Sequence, residues 1–318
     1  MFKTPILLIS WQRPDKTLMV LKKIQQVKPL KIYLACDGVN LKDKGNRKKV
    51  EKTREILNNF INWECEIKKL YSDKNLGCKK GVSKAISWFF SNEEEGIILE
   101  DDCIPHVDFF HFSSLLLEKY RNDTRIWSIS AHNQQEGIKN GIGSYYFSRY
   151  SHCWGWATWR RCWKEYDNDI KKWPEIKKNK ILSNVFDNKR QYKYWEKIFD
   201  NIYYKSEPNT WDYQWSYICF LNSGLTIIPN INLINNIGFD NEATHTVKGQ
   251  PKTNNLELKM KKSGIFPLSH PPQIIRSKSA DFRVELITYS GLPLLSFKKI
   301  IGLIGRLCFK IKSAIKIK

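Results

Sequence analysis

A short apolar strand that closes in three consecutive acids constrains this chain more than any other feature. Residues 96–99 form an apolar run opened by a glycine, which is typical of a buried strand, and Glu100, Asp101 and Asp102 follow at once. Ligands of open α/β sheets collect at the carboxyl ends of strands, where these acids would lie. Because adjacent carboxylates repel one another, the triplet indicates a bound Mg²⁺ or Mn²⁺. The alternative is an acidic turn that water solvates.

Apolar runs alternate with helical patterns on both sides of this strand. Runs at 5–10, 31–36 and 65–71 predict strands, and each is followed by apolar residues at helical spacing. This alternation predicts an α/β fold with a mostly parallel mixed sheet flanked by helices, and it fades after residue 130. The predicted divisions are a domain at 1–250 with halves at 1–130 and 131–250, an irregular wrap or linker at 251–290, and a basic tail at 291–318.

The charge of the chain is strongly positive, with 53 Lys and Arg against 32 Asp and Glu and a net charge of +21. Such a balance favours phosphorylated ligands, anionic membrane surfaces or nucleic acid. Residues 297–318 place apolar side chains at helical spacing among Lys and Arg, with no acid. We therefore predict a basic amphipathic helix that lies on an anionic membrane surface. A terminal helix docked on the domain is the alternative.

The cysteines and the amino terminus indicate the compartment. The eight cysteines form no C-x-x-C pair, and Cys36, Cys103 and Cys219 lie in apolar runs, which is typical of reduced thiols in a cytosolic protein. The first residues lack a signal-peptide pattern, and no apolar run is long enough to span a bilayer. The expected location is the cytoplasm, peripheral at the inner face of the cell membrane.

Known phosphate-binding motifs do not occur in the sequence. Gly77 and Gly81 mark a strand-to-helix junction at which Lys79, Lys80 and backbone N–H groups are placed to bind an anion. A solvated helix face is the alternative interpretation of these lysines. The chain lacks G-x-x-x-x-G-K-[ST] and G-x-G-x-x-G, which disfavours a P-loop NTPase and a dinucleotide dehydrogenase.

Aromatic residues are concentrated between 151 and 163 and again around Asp212. Four tryptophans fall within 154–163, and such a cluster either forms core or holds sugars and bases. The spacing of Trp159 and Trp163 is helical and favours core. Asp212 lies among aromatic residues at a predicted helix start, where it is either a first-turn acid or a general base with a raised pKa. The lysine-rich stretch 171–188 predicts a surface excursion.

Several of these stretches together resemble the GT-A-fold glycosyltransferases, which have a Rossmann-like nucleotide-sugar-binding half. The nearest likeness is to N-acetylglucosaminyltransferase I and related bacterial glycosyltransferase-like proteins, and it covers residues 4 to 250. The stretches that carry it, in order, are the Arg-Pro of Arg13, the Asp-Gly of Asp37, Asn75-Leu76-Gly77, Glu100-Asp101-Asp102, Pro105, Asp108-Phe109-Phe110, Ser130-Ala131 with Asn133, Gly155-Trp156, Trp211-Asp212, and the loop from Gly238 to His245.

The resemblance implies a role for each matched residue. It implies an inverting single displacement in which Asp212 is the catalytic base. The metal, Mn²⁺ or Mg²⁺, would be bound by Asp102, with support from Glu100 and with His245 reaching metal or phosphate. The remaining nucleotide-sugar contacts that it implies are Asp37 to uracil, Arg13 to the diphosphate, Asp101 near the ribose or metal-bound water, and Gly155 and Trp156.

The expected function is therefore metal-dependent glycosyl transfer. A hexosyl or N-acetylhexosaminyl group would pass from a UDP-sugar to a hydroxyl of a glycan or lipid-linked acceptor in polysaccharide biosynthesis. One alternative is a sugar-phosphate nucleotidyltransferase, although residues 11–14 replace the Gly-rich basic loop which that class carries after its first strand. The others are a basic nucleic-acid-binding protein, disfavoured because no nucleic-acid-binding module is recognisable, and an inactive lectin-like module.

Overall fold

The computed structural model describes residues 1–43, 45–238 and 264–289, and a large mixed β-sheet runs through its centre. In chain order the strands are β1 (Ile6–Ser10), β2 (Lys31–Cys36), β3 (Glu66–Tyr71), β4 (Glu95–Glu100), β5 (Cys103–Pro105), β6 (Ile126–Ser130), β7 (Tyr145–Ser148), β8 (Trp156–Trp159), β9 (Leu225–Pro229) and β10 (Ile234–Asn236). Over these described residues, eight strands form one sheet in the order β3-β2-β1-β4-β8-β6-β9-β7, and β5 pairs with β10 separately.

Helices cover the sheet and bury their apolar stripes against it. They are α1 (Pro14–Gln25), α2 (Asn46–Asn59), α3 (Gly77–Asn92), α4 (Val107–Tyr120), α5 (Arg160–Trp163), α6 (Trp173–Lys178), α7 (Lys189–Lys205), α8 (Asp212–Leu221) and α9 (Lys278–Val284), with a 3₁₀ turn at Ile181–Asn184 and a π-helical turn at Glu285–Tyr289. In α1, Val20, Leu21 and Ile24 are buried at helical spacing, and Pro14 occupies the first turn, where its missing N–H costs no hydrogen bond.

The register of the parallel strands brings their carboxyl ends together. β1 pairs in parallel with β2 from Ile6 opposite Ile32, and with β4 on its other side from Ile6 opposite Ile97. The residues that follow these three strands therefore share one edge of the sheet. The predicted fold class, an α/β fold with a mostly parallel mixed sheet flanked by helices, is confirmed and is Rossmann-like.

Three of the four tryptophans in the tryptophan-rich stretch are core, as the spacing of Trp159 and Trp163 predicted, whereas Trp154 is only partly buried. Trp156 is 1% exposed, and its ring centroid lies 5.5 Å from that of Trp211 and 5.3 Å from that of Trp215. Trp159 and Trp163 are buried as well. The predicted helix begins only at Arg160. Residues Trp156–Trp159 form β8 instead, which pairs antiparallel with β4 in the middle of the sheet.

The lysine-rich stretch 171–188 is not a surface excursion, and that prediction is wrong. It forms α6 and a 3₁₀ turn whose apolar side chains are buried: Trp173, Ile176, Leu182 and Phe186. Their spacing is irregular because each short helix or turn is too short to repeat a buried position. The sequence pattern alone therefore shows only the lysines that point outward.

The carboxyl-terminal part that the structure describes packs onto the sheet. Ser277 donates its backbone N–H to the carbonyl of Phe147, and α9 begins there. The predicted domain divisions stay predictions, and both the tail at 291–318 and His245 lie outside the described residues. None of the helices in the described ranges is long and apolar enough to cross a membrane.

Candidate functional site

The acidic triplet lies at the carboxyl end of β4 and is held by the loop that follows β1. Asp101 is 6% exposed and accepts hydrogen bonds from the backbone N–H of Trp11 at 3.0 Å and from Nη1 of Arg13 at 3.2 Å. The same Nη1 lies 2.6 Å from Oδ2 of Asp102. Parallel pairing of β1 with β4 thus brings together Arg13 and the triplet, which the sequence separates by almost ninety residues.

The site carries more negative than positive charge at short range. Burial raises the pKa of Asp101 to about 6, although the guanidinium of Arg13 acts in the opposite direction. Burial also raises the pKa of Glu100, and the charges of Asp102, Asp101 and Asp212 add to this rise. The three carboxylates of the triplet repel one another strongly at this low dielectric, and the guanidinium of Arg13 neutralises only part of their charge. The site therefore favours binding of a second cation.

The triplet suits a Mg²⁺ that protein and substrate hold jointly. Within the described residues, no three His, Cys, Asp or Glu side chains are grouped as a ready-made metal cage. Mg²⁺ does not need such a cage, since it keeps several waters and is commonly held by one or two carboxylates together with substrate phosphates. Asp101 and Asp102, adjacent and partly neutralised by Arg13, fit that mode.

Asp37 closes the junction between β2 and α3. Its carboxylate accepts backbone N–H groups of Gly38 at 2.8 Å, Leu76 at 2.9 Å and Gly77 at 3.1 Å, and the side-chain amide of Asn75 at 3.0 Å. The N–H groups at the start of α3, expected to meet an external anion, therefore meet this carboxylate. The implied contact of Asp37 with uracil stays a prediction.

Asp212 begins α8 and lines an open cavity of about 130 Å³. β8 runs antiparallel to β4 with Trp156 opposite Ile98, so Cys153 and Trp154, which precede β8 and line the cavity, lie beside the end of β4 that carries the acidic triplet. Thr210 donates its hydroxyl to the Asp212 carboxylate. The wall combines aromatic and polar side chains: His132, Gln134, Ser151, His152, Cys153, Trp154, Trp195, Asp212, Tyr213, Ser216 and Tyr289.

Two histidines in the cavity wall are held uncharged. The rings of His132 and His152 lie 5.4 Å apart, and that of His132 lies 4.3 Å from Trp154. Burial lowers the pKa of His152 to about 4 and lowers that of His132 as well, with a further contribution from His152. At neutral pH the cavity thus offers neutral donors and acceptors beside one carboxylate, that of Asp212.

Comparison with known proteins gives a likeness at the level of fold. No protein-family model matches the chain, and no curated protein matches it. Among solved structures, a UDP-glucose pyrophosphorylase complexed with UDP-glucose is similar at 8% identity and a TM-score of 0.32, covering 52% of this chain and 79% of that one. A putative glucose-1-phosphate thymidylyltransferase from Bacillus anthracis matches at 10% identity and 0.33, covering 52% and 74%.

A third structure, 4-diphosphocytidyl-2C-methyl-D-erythritol synthase from Anaerococcus prevotii, matches at 10% identity and a TM-score of 0.33, covering 52% of this chain and 77% of that one. These three structures are not glycosyltransferases, and the prediction of a glycosyltransferase that moves a hexosyl or N-acetylhexosaminyl group is corrected accordingly. The resemblance holds for a GT-A-like, Rossmann-like fold and not for N-acetylglucosaminyltransferase I specifically. The resemblance rested on short, separate stretches, and a fold that hosts several reactions does not specify which one a chain performs.

The other implied site residues fall in three different places. Gly155 has φ +58° in the turn before β8, where an added Cβ would meet Ile234 at 2.6 Å, so the glycine is required by the backbone. Trp156 lies in the aromatic core. His245 is outside the described residues, but Gly238 lies against Asp102, since a Cβ there would be 2.2 Å from Oδ2.

Sequence reasoning missed most of the cavity wall. His132, His152 and Tyr289 come from three stretches that no motif connects, and the first two follow β6 and precede β8. In the stretch around His152, only the tryptophans indicated core or a binding surface. The available signal was the occurrence of Ser, His and Trp side chains close together outside a predicted strand. Such a combination is too common to indicate a site unless the fold is known.

The uncharged histidines make the stability of the fold sensitive to acid. The pKa of His152 is near 4 in the folded state and about 6.5 in an unfolded chain, so the unfolded state binds the extra proton between these values. Stability should therefore fall as the pH falls through this window, by about 2 kcal/mol at pH 5 from this residue alone.

Urea unfolding at pH 7.5 and pH 5.0 measures this effect in the wild type and in His152→Gln. We expect the variant to lose less stability than the wild type between the two pH values, since Gln does not titrate. An equal loss in both proteins would show that His152 is protonated as readily in the fold as outside it.

Proposed function

We propose that the protein is a Mg²⁺-dependent sugar-phosphate nucleotidyltransferase. It would bind a nucleoside triphosphate at the carboxyl edge of β1, β2 and β4, and the sugar ring of a sugar 1-phosphate in the adjoining cavity, with the phosphate of that sugar directed to the cation at the sheet edge. The observation that carries this proposal is the contact of Arg13 with both Asp101 and Asp102 beside a cavity whose wall is polar and aromatic. The products would be a nucleotide sugar and pyrophosphate.

The reaction needs charge placement more than proton transfer. An oxygen of the sugar phosphate attacks the α-phosphorus of the nucleotide, a new P–O bond forms, and the bond to the β-phosphate breaks so that pyrophosphate leaves. The attacking phosphate is already anionic at neutral pH, so no general base is required. A bound Mg²⁺ would neutralise phosphate oxygens and the charge that develops on pyrophosphate.

The side chains of this protein have distinct tasks in such a reaction. Asp101 and Asp102 would hold the cation, and Glu100 would add negative charge behind them. Arg13 would turn from Asp102 to a phosphate oxygen, because a cation at the carboxylates weakens their hold on the guanidinium. Asp212 would accept hydrogen bonds from sugar hydroxyls. The loop after β1 has only residues 11–13, so Arg13 is the basic group that it offers.

The test is a reaction run in both directions. Purified protein is mixed with Mg²⁺, one of five nucleoside triphosphates (ATP, GTP, CTP, UTP or dTTP), and glucose, galactose or N-acetylglucosamine 1-phosphate, and pyrophosphate release is followed. We expect release that needs both substrates and the metal, and formation of a triphosphate when pyrophosphate is added to the nucleotide sugar. Release of a nucleoside diphosphate from a nucleotide sugar, without any pyrophosphate-dependent reaction, would overturn the proposal.

A further inference from the structure

We propose that Tyr289 contacts the sugar part of the substrate and that Glu285 positions it. This inference rests on the proposed function and adds the carboxyl-terminal segment 277–289 to the site. The segment is remote in sequence from the acidic triplet, yet Tyr289 is part of the cavity wall that contains Asp212.

The chemistry of the cavity wall fits an uncharged, hydroxyl-rich ring. The wall contains four aromatic side chains together with amide, hydroxyl and imidazole groups and the carboxylate of Asp212. Sugars bind such surfaces by placing C–H faces on aromatic rings and hydroxyls on polar groups. Among the described residues that line the cavity there is no Lys or Arg, so a phosphate group would find no cation there.

The ring of Tyr289 is fixed by neighbouring aromatic rings. Its centroid lies 5.0 Å from that of Trp195, 5.3 Å from that of Tyr150 and 5.3 Å from that of Tyr194. Trp195 also lines the cavity, whereas Tyr150 and Tyr194 stand behind it. Because these rings already restrict the ring of Tyr289, it would lose little side-chain entropy when a ligand binds in the cavity.

Glu285, one turn earlier, holds this part of the chain through buried polar contacts. The residue is 7% exposed, and its carboxylate accepts hydrogen bonds from Arg149, from the hydroxyl of Tyr150 and from the amide of Gln191. Buried contacts of this kind favour one conformation of the backbone, because any other leaves the carboxylate of Glu285 without its cation and hydrogen-bond donors. The conformation they favour is the one that sets Tyr289 against the cavity.

A second contact links the same turn to the cavity. Thr288 donates its hydroxyl to Oε1 of Gln134 at 2.9 Å, and Gln134 is part of the cavity wall. The π-helical turn thus controls both an aromatic and a polar group that face the proposed sugar. Thr288 and Tyr289 both contact the cavity wall or form part of it, so the segment contributes to the site and also covers the sheet.

The inference is tested by comparing ligands with and without a sugar. Calorimetry measures the affinity of wild type, Tyr289→Leu and Tyr194→Leu for UDP and for UDP-glucose, UDP-galactose, UDP-N-acetylglucosamine and UDP-xylose, all with Mg²⁺. Tyr194→Leu is the matched control, since Tyr194 touches Tyr289 but does not line the cavity. We expect at least one UDP-sugar to bind wild type more tightly than UDP does. In Tyr289→Leu the affinity for that UDP-sugar should fall about tenfold, while the affinity for UDP stays unchanged.

Glu285→Gln tests the positioning role, with thermal melts to verify folding at the assay temperature. In nucleotidyl transfer we expect its KM for the sugar phosphate to rise several-fold while KM for the nucleotide and kcat stay near wild type. A purely structural effect would instead lower kcat through the folded fraction.

The possible failures are distinguishable. UDP binding by wild type with no gain from any of the four sugars would overturn this inference alone, as would equal losses for UDP and UDP-sugar in Tyr289→Leu. If wild type binds ADP, GDP, CDP or dTDP with Mg²⁺ in place of UDP, the same series is measured with that diphosphate and its sugar derivatives. An absence of Mg²⁺-dependent binding of all five nucleoside diphosphates would overturn the proposed function and this inference together.

Discussion

Asp102→Asn is expected to weaken Mg²⁺-dependent binding of nucleotide by at least about 100-fold, and nucleotidyl transfer should fall with it. The substitution keeps the size of the side chain but removes the charge that a cation requires. It also removes the partner of the Arg13 guanidinium, which lies 2.6 Å from Oδ2 of Asp102. The measurement is calorimetric titration with UDP at saturating and at zero Mg²⁺.

Asp108→Asn is the matched control for this result. Asp108 is an acid six residues further on, in the first turn of α4, where its carboxylate lies 3.4 Å from a ring nitrogen of His106 and takes no part in the acidic cluster. We expect its Mg²⁺-dependent affinity to remain near that of wild type. If Asp102→Asn also binds like wild type in the presence of Mg²⁺, Asp102 is not a ligand of the cation.

Arg149→Met is expected to lower the free energy of unfolding by about 3–5 kcal/mol and the melting temperature by about 10 °C. Arg149 is 4% exposed and donates to the carbonyl of Val185 at 2.6 Å, to the amide oxygen of Gln191 at 3.0 Å and to Glu285. Its loss leaves the carboxylate of Glu285 buried without its cation. Guanidinium unfolding and thermal melts measure the change.

Two further variants separate the unpaired charge from the lost packing. Arg149→Met combined with Glu285→Leu should recover part of the stability, because no uncompensated charge is then buried. Arg121→Met is the exposed counterpart: Arg121 pairs with Glu95 and Glu118 at the surface and should cost no more than about 1 kcal/mol. A loss of that small size in Arg149→Met would mean that the buried pair contributes little.

Much of the fold could be predicted because one physical signal repeats along the first half of the chain. Apolar runs followed by helical patterns imply parallel strands with crossovers, and β1, β2, β3 and β4 formed as predicted. The signal weakened later, where β8 pairs antiparallel and α6 is short. There a buried residue such as Trp173 is surrounded by lysines that face solvent, and its burial depends on distant partners.

The reaction class could not be predicted correctly from the motifs. Arg13, Asp37 and the acidic triplet are placed at the edge of the sheet where α/β folds bind ligands, and this placement does not by itself specify the reaction. What distinguishes enzymes with such an edge is the second substrate site. In this protein the cavity that we propose for it is lined by His132, His152 and Tyr289, which no local pattern connects.

The sequence by itself determined the acidic edge of the sheet. Local periodicity specifies β4, and chain continuity then places Glu100, Asp101 and Asp102 at its end, whatever the rest of the molecule does. Only the tertiary structure decided what meets those acids. Arg13 reaches them through strand pairing, and Asp212 and Tyr289 enclose the neighbouring cavity through contacts between segments far apart in sequence. Such contacts depend on packing and buried charge over the whole chain, and no short stretch of residues encodes them.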